Sequence, residues 1–270
     1  MTDYGIELER KDRIGIITFN RPQRRNAFNA HMLAELERVT AELSVDLPRV
    51  VVVTGRGEAF SAGFDVNPDN PHVDHLVKAV ETHDESHVVD FMRQLRKIVD
   101  DFIALPVPII AAINGKAYGG GAELAVRCDM RVMDPDAVIC FSEVRLGLMP
   151  DWGGGAALAH LIGPAKAADM ILTARQVESR EAKSLGLINR ISSPGKAVEE
   201  AVSIGEIISK NGPLSVRSAL EVIRQSSNKT LEESLALEFE RAVSLIASGE
   251  CIHGITAFLM KKEPEFPDSC

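Results

Sequence analysis

Three carboxylic acids stand beside glycine-rich turns in the middle of this chain. Glu123 follows Gly119-Gly120-Gly121-Ala122. Glu143 and Asp151 bracket Val144-Arg145-Leu146-Gly147-Leu148-Met149-Pro150, and Trp152-Gly153-Gly154 comes next. Glycine lets backbone N–H groups approach a ligand closely, and an acid beside such a turn can exchange protons with whatever is held there. The combination suits chemistry at the α-carbon of a carbonyl compound. Phe60-Ser61-Ala62-Gly63-Phe64-Asp65 is a second turn beyond a buried strand. Two N–H donors, one from each turn, aimed at one oxygen make an oxyanion hole, and losing one such donor typically costs about 3 kcal/mol.

Each feature also has a plainer reading. The glycine triplet alone is also a tight turn. What favours function is its place, shortly after a buried strand and before a helix start, where free N–H groups and the positive end of the helix favour a developing anion. Glu123 is equally the first-turn acid that such a helix stabilises with no chemical task. Asp151 either enters a pocket or caps the helix after Gly153. Trp152, the single tryptophan, is either a core anchor or a pocket wall. Ser61 is not read as a nucleophile, because Ala59 stands where a nucleophile elbow wants its first glycine. His72, His75, His83 and His87 crowd one polar stretch, and His83 and His87 share a face only if a helix runs through them. With no cysteine among them, the stretch reads as a solvated, mobile insertion and not as a metal site.

Strands are expected near Ile6–Leu8 and Ile14–Phe19, the second ended by Asn20-Arg21-Pro22. Asn29 has the chemistry of an N-cap, with Leu33, Leu36, Thr40 and Leu43 following at helical spacing. Val50–Gly55 and Ile109–Ile113 read as buried strands. Glu123–Arg127 reads as the start of a helix, and Met130–Met133 and Val138–Phe141 as short strands. Residues 66–100 form an insertion: loop over 67–71, then helix from about Val88 with Phe91, Leu95, Ile98 and Phe102 on one side. The pattern is α/β with several short strands per helix. After Ile191 it becomes mainly helical, and Leu231, Leu235, Phe239, Ala242 and Ile246 mark one apolar face. The boundary near Ser192-Ser193-Pro194-Gly195 divides a core, 1–195, from a helical region, 196–270, whose apolar face packs on the core or on a neighbouring subunit.

A chain of 270 residues with 45% apolar content fits one large soluble domain, with or without an appendage. It has no run of the roughly eighteen apolar residues that a membrane span needs. Met1-Thr2-Asp3-Tyr4-Gly5 resembles neither a signal nor a transit peptide, so the expected compartment is the cytoplasm. Cys128, Cys140, Cys251 and Cys270 form no CxxC pair and read as reduced thiols. A formal charge of −9 argues against nucleic acid or anionic membrane partners. An anionic small molecule would then need a local basic patch, and Arg21-Pro22-Gln23-Arg24-Arg25 and Lys261-Lys262 are the candidates.

From about Ile14 to Phe266 the sequence resembles the crotonase superfamily of enoyl-CoA hydratases and isomerases. The resemblance is carried by Asn20-Arg21-Pro22 with Arg25-Asn26-Ala27-Phe28, by Phe60–Asp65, by Gly119–Leu124 and Glu143–Gly154, and by Ile171-Leu172-Thr173-Ala174. Ala182–Leu187 and Ala257–Phe266 complete it. It implies a crotonase-like spiral of ββα units with a helical C-terminal region that builds homotrimers, often paired as hexamers. It implies an acyl-CoA thioester substrate, with coenzyme A as part of the substrate and no other cofactor or metal. The carbonyl oxygen would be held by the N–H groups of Phe64 and Gly120. Glu123 and Glu143 correspond to the two hydratase glutamates, and Arg25, Ala27 and Phe28 to the CoA-binding loop. Ala62, Asp65, Trp152, Lys261 and Lys262 are further candidates for substrate or CoA contact. Hydration of a 2-enoyl-CoA is the first expectation, with Glu143 delivering the proton to C2.

Two departures qualify the resemblance. Hydratases commonly carry glycine where this chain has Asp151, and the lysine often found after the Gly-x-Asp turn is replaced by Val66-Asn67-Pro68. The Glu143 and Asp151 pair resembles the acids of dienoyl-CoA isomerases, in which the Glu123 position is usually aspartate. A double-bond isomerase using Glu143 and Asp151 is therefore the alternative. A non-catalytic acyl-CoA-binding protein is the alternative of another class.

Overall fold

The computed structural model describes residues 5–268; Cys270 lies outside them. The chain opens with an antiparallel pair, β1 (Gly5–Lys11) and β2 (Ile14–Asn20), each longer than expected. A 3₁₀ turn at Pro22–Arg24 leads to α1 (Ala30–Val45). Asn29 caps this helix by accepting the Met32 N–H at 3.0 Å, and Leu33, Leu36, Thr40 and Leu43 are buried on one face, as the spacing required.

The chain then repeats a pattern of one longer strand, one short strand and helix. The first unit is β3 (Val50–Gly55), β4 (Ala59–Ser61), α2 (Val73–Thr82) and α3 (Ser86–Ile103). The second is β5 (Ile109–Ile113), β6 (Lys116–Tyr118) and α4 (Gly120–Arg127). The third is β7 (Met130–Met133), β8 (Val138–Cys140), a 3₁₀ turn at Glu143–Leu146, and α5 (Gly154–Ile162) with α6 (Pro164–Thr173). Next come β9 (Val177–Glu178), α7 (Ser179–Leu185) and β10 (Arg190–Ile191), then the helices α8 (Ala197–Ser209), α9 (Pro213–Ser226), α10 (Leu231–Ser248) and α11 (Glu250–Leu259).

The longer strands form one sheet, β1-β2-β3-β5-β7-β10, parallel from β2 onward. The short strands form a second sheet, β4-β6-β8-β9, in which β4, β6 and β8 are parallel. Each unit therefore advances the chain one strand in both sheets, giving a spiral. Val51 and Val53 enter the main core, while Val50 and Val52 enter a second core on the other face. That is why β3 is apolar without alternation. α8 supplies the second face through Ala197, Ala201, Val202 and Ile204.

Three local differences from the sequence expectations have physical causes. α4 begins three residues early, at Gly120, because Gly119 turns the chain at φ 52°, ψ −130°, a region essentially closed to side chains. The histidine-rich insertion is helical at 73–82, not a mobile loop. His83 ends α2 in a left-handed conformation, so no helix runs through His83 and His87. His72 and His75 instead stack on Phe91 of α3, at centroid distances of 4.6 and 5.5 Å. Among the described residues no group of His, Cys, Asp or Glu could hold a metal ion, and no single helix is long and apolar enough to cross a membrane.

Candidate active site

Because β4, β6 and β8 run parallel side by side, the turns beyond them open at the same end of the small sheet. The first, Ala62-Gly63-Phe64, is tied to the segment after β2. Ala62 N–H donates to Arg25 O (2.9 Å), Phe28 N–H to Gly63 O (2.8 Å), and Asp65 N–H to Phe28 O (2.9 Å). Gly63 has φ +83°, and a Cβ there would sit 2.6 Å from Gly120 N, so the first and second turns touch. The N–H groups of Phe64 and Gly120 have no acceptor among the described residues. Both residues line a cavity of about 240 Å³ that also touches Ala62, Glu123, Glu143, Asp151 and Trp152. The structure thus gathers seven of the candidate residues around one space.

Glu123, in the first turn of α4, is fully buried. Its Oε1 accepts the Asp151 N–H at 3.1 Å, and its Oε2 accepts those of Trp152 at 2.9 Å and Gly154 at 2.8 Å. A Cβ on Gly154 would lie 2.3 Å from Glu123 Cα, so only glycine lets α5 close on this acid. Burial, and then the charge of Glu143, push its pKa up to about 7, although the Gly154 and Asp151 N–H groups pull the other way. Glu143 is 8% exposed, and neither carboxyl oxygen has a hydrogen-bond partner among the described residues. Burial raises its pKa and the charge of Asp151 adds to the effect, although its own backbone N–H and the neighbouring Glu123 carboxyl pull the other way.

Asp151 does not cap α5. The N-cap is Gly153, with no side-chain cap bond. Asp151 is an exposed residue on the cavity lining, yet surrounding protein crowds its carboxyl, and that crowding, with the charge of Glu123, pushes its pKa up to about 6. Trp152 is both anchor and wall. It is 1% exposed, meets Phe28 edge-on at 5.4 Å, lies against Gly120, and faces the cavity.

The remaining candidates lie outside the cavity wall. The Phe28 ring is fully buried between Phe19 and Trp152, so only its backbone is at work in the turn. Asp65 is a buried strut: its Oδ2 takes Arg21 Nη1 at 2.5 Å and its Oδ1 takes the Asn67 N–H at 3.1 Å. Burial alone would raise its pKa, but the Asn67 and Arg21 bonds and the Arg21 charge hold it below the ordinary value. Ala27 is buried, and its carbonyl accepts from Arg21. Arg21 pairs with Asp65 and Arg24 with Asp69, while Arg25 is exposed and makes no ion pair among the described residues. Lys261 and Lys262 are exposed just beyond α11. The Ser61 hydroxyl is occupied, donating to Asn26 O and accepting the Gly63 N–H.

Leu76, Val88, Phe91, Met92, Leu95 and Leu148 form the apolar end of the cavity. Sequence reasoning assigned Phe91 and Leu95 to the core face of a helix and did not single out the others. For those on α2 and α3 the sequence signal is helical periodicity, which cannot tell a core from a cavity wall, and Leu148 lies in a loop with no periodicity to read.

A family model described as enoyl-CoA hydratase/isomerase matches residues 9–269. The chain belongs to the enoyl-CoA hydratase/isomerase family. A family relative from Thermus thermophilus is 35% identical over 257 residues, covering 95% of this chain and 98% of its own. The 2,3-dehydroadipyl-CoA hydratase of Escherichia coli is 31% identical, covering 96% and 97%. The solved enoyl-CoA hydratase of Bacillus anthracis superposes with a TM-score of 0.87 at 31% identity, covering 98% of this chain and 99% of its own. The architecture is thus the crotonase fold, and the protein is an enzyme of the hydratase or isomerase type.

This geometry has two measurable consequences. Arg21→Met leaves Asp65 buried and without its cation, so urea denaturation should show a stability loss of about 3 kcal/mol or more; a loss below about 1 kcal/mol would show that Asn67 alone satisfies it. The second concerns pH. The folded pKa of Glu123 lies above its unfolded value, so the native state binds more protons and stability falls as pH rises from about 4.5 to about 7. Glu143→Gln removes the neighbouring charge. Its melting temperature should match the wild type near pH 5 and exceed it at pH 8, by an amount set by about 1.4 kcal/mol per pKa unit relieved. Parallel melting curves across that range would contradict the coupling.

Proposed function

We propose that this protein adds water across the 2,3-double bond of 2-enoyl-CoA thioesters with apolar acyl chains. The observation that carries the proposal is the opposite hydrogen-bonding of two acids on one cavity beside two free N–H groups. Glu123 accepts three N–H bonds, which suits a carboxylate, and Glu143 accepts none, which suits a neutral acid. The thioester oxygen takes the N–H groups of Phe64 and Gly120, which stabilise an enolate. A carboxylate has about four lone-pair sites, so Glu123 retains one on Oε1 to take a proton from water. The hydroxide portion bonds to C3, the electron pair moves to the thioester oxygen, and Glu143 gives its proton to C2. Proton transfer from Glu123 to Glu143 resets the pair. No cofactor is required beyond the CoA of the substrate.

Arg25 is the proposed principal contact for CoA phosphate, being exposed, without an ion pair among the described residues, and bonded through its carbonyl to Ala62 of the cavity wall. Lys261 and Lys262 are proposed to add positive charge. Among the described residues no Lys, Arg or His lines the cavity, which disfavours an acyl chain ending in a carboxylate. The 1–195 core and 196–270 helical region are retained as the working division. The apolar face of α10 and α11, with Phe239 at 70% and Phe258 at 81% exposure, supports a homotrimer or a pair of trimers. A cytoplasmic location fits this soluble chemistry.

Crotonyl-CoA and longer 2-enoyl-CoAs should lose their conjugated absorbance on mixing with the protein. Glu123→Gln and Glu143→Gln should each lower kcat by about a hundredfold or more, and a 2-enoyl-CoA ending in carboxylate should be the poorer substrate at matched length. Folded protein with no turnover at any chain length would overturn the assignment.

Asp151 supports a second reading, since it lines the cavity and does not cap a helix. Proton movement between Glu143 and Asp151 would shift double bonds along a longer chain. Asp151→Asn should then abolish conversion of 3,5-dienoyl-CoA to the 2,4-isomer while leaving crotonyl-CoA hydration largely intact. A wild type that never isomerises dienoyl or 3-enoyl substrates removes this reading.

A further inference from the structure

The loop that carries Asp151 and Trp152 has little backbone support of its own. Leu148 N–H bonds to Glu143 O, and Ala157 N–H bonds to Gly153 O at the start of α5. Between them, the hydrogen bonds to backbone groups of residues 149–152 come from side chains of α4, among the described residues. Glu123 accepts the N–H groups of Asp151 and Trp152, together with that of Gly154 just beyond. Arg127 Nη1 donates to Trp152 O at 2.8 Å. The two residues are four positions apart, one helical turn, so α4 grips one loop from one face with an acceptor and a donor.

Arg127 is itself held. Its Nη2 pairs with Asp100 of α3 at 2.6 Å, and its side chain is 14% exposed. Asp100 also takes Arg96 Nε at 2.8 Å. The position a Cβ would take on Gly153 is 3.3 Å from both Arg127 Nη1 and Arg96 Cζ. The guanidinium is thus seated between α3 and the loop, fixed at both ends.

We infer that Arg127 is a positioning residue for Glu123: by holding the Trp152 carbonyl it keeps three backbone N–H groups on the Glu123 carboxyl and the indole flush against Gly120. It touches neither the cavity nor the reacting atoms. The inference rests on the hydratase reading for its kinetic consequence, but the loop's seating can be followed without substrate. Trp152 is the single tryptophan, so its emission reports this loop alone.

The titratable groups facing Glu123 are Glu143 from the 3₁₀ turn and Asp151 from the loop, and α5 meets it with the Gly154 backbone. Arg127, Arg96 and Asp100 act on the loop, not on the carboxyl directly. The loop's N–H groups favour the carboxylate form of Glu123, so loosening them moves its titration upward.

The test compares wild type, Arg127→Met and Arg127→Lys, each first shown folded by circular dichroism. In Arg127→Met, Trp152 emission should shift to longer wavelength, and the midpoint of its pH dependence near neutrality should move upward. With crotonyl-CoA, kcat should fall about ten- to a hundredfold with KM within about twofold, and the acid limb of the kcat profile should move upward with the emission midpoint. Arg127→Lys can donate to Trp152 O and should recover part of each effect. A purely structural role predicts a lower melting temperature with emission midpoint and acid limb unmoved, and that result overturns the inference. If the wild type hydrates no enoyl-CoA, the functional reading fails, while emission and its pH midpoint still decide whether Arg127 seats the loop.

Discussion

A carboxyl group with no exposed surface sits at the centre of this molecule, and its accommodation organises the surrounding chain. Burying Glu123 without partners would be costly, and the fold meets that cost with three backbone N–H groups from one loop. Those donors reach it because Gly154 brings α5 against the Cα of Glu123 and because Gly120 leaves room for the Trp152 ring. Any side chain at these glycines would part α4 from the loop. The glycine-rich character of both motifs is therefore a packing requirement imposed by one buried acid, besides the turn geometry it permits.

The spiral converts sheet register into site geometry. Ser61 pairs with Ala117 and Tyr118 with Cys140 in the small sheet. Groups far apart in the chain leave adjacent strands at the same level: the Phe64 N–H after β4, the Gly120 N–H and Glu123 after β6, and Glu143 after β8. Strand spacing in a sheet is fixed at roughly 4.8 Å, so the separation between these groups is set by the backbone ladder rather than by flexible side chains. The Arg21 and Asp65 pair secures the first turn, and the grip of α4 on the 149–153 loop secures the last.

The elements dominated by local pattern were legible in the sequence. Val50–Gly55, Ile109–Ile113 and the Asn29-capped helix stand where apolar runs and capping chemistry put them, and Glu123 and Glu143 share a cavity as their glycine-rich settings implied. What was illegible depends on partners distant in sequence. Asp65 read as a substrate contact because nothing local shows that Arg21 lies across from it. Phe28 sits in the right loop, but its ring is claimed by Trp152, more than a hundred residues away in the chain. The first insertion helix, α2, was hidden by the Asn and Pro residues before it, and His72 and His75 find their role only against Phe91 of α3. Asp151 was ambiguous for the same reason, since its orientation depends on where its own N–H is bonded, and that acceptor is Glu123.

The placing of Asp151 also bears on the charge of the site. Among the described residues the cavity walls hold three acids and no cation. Three ionised carboxylates on one partly buried cavity would repel one another strongly. Burial and mutual repulsion instead raise all three, with Glu123 near 7 and Asp151 near 6. Near neutral pH the cavity therefore retains protons that isolated acids would have lost. Glu123 accepts three N–H bonds and Glu143 accepts none among the described residues, so the two acids meet the same burial by opposite means. The same desolvation that gives the pocket its apolar wall thus holds its acids above their ordinary pKa values.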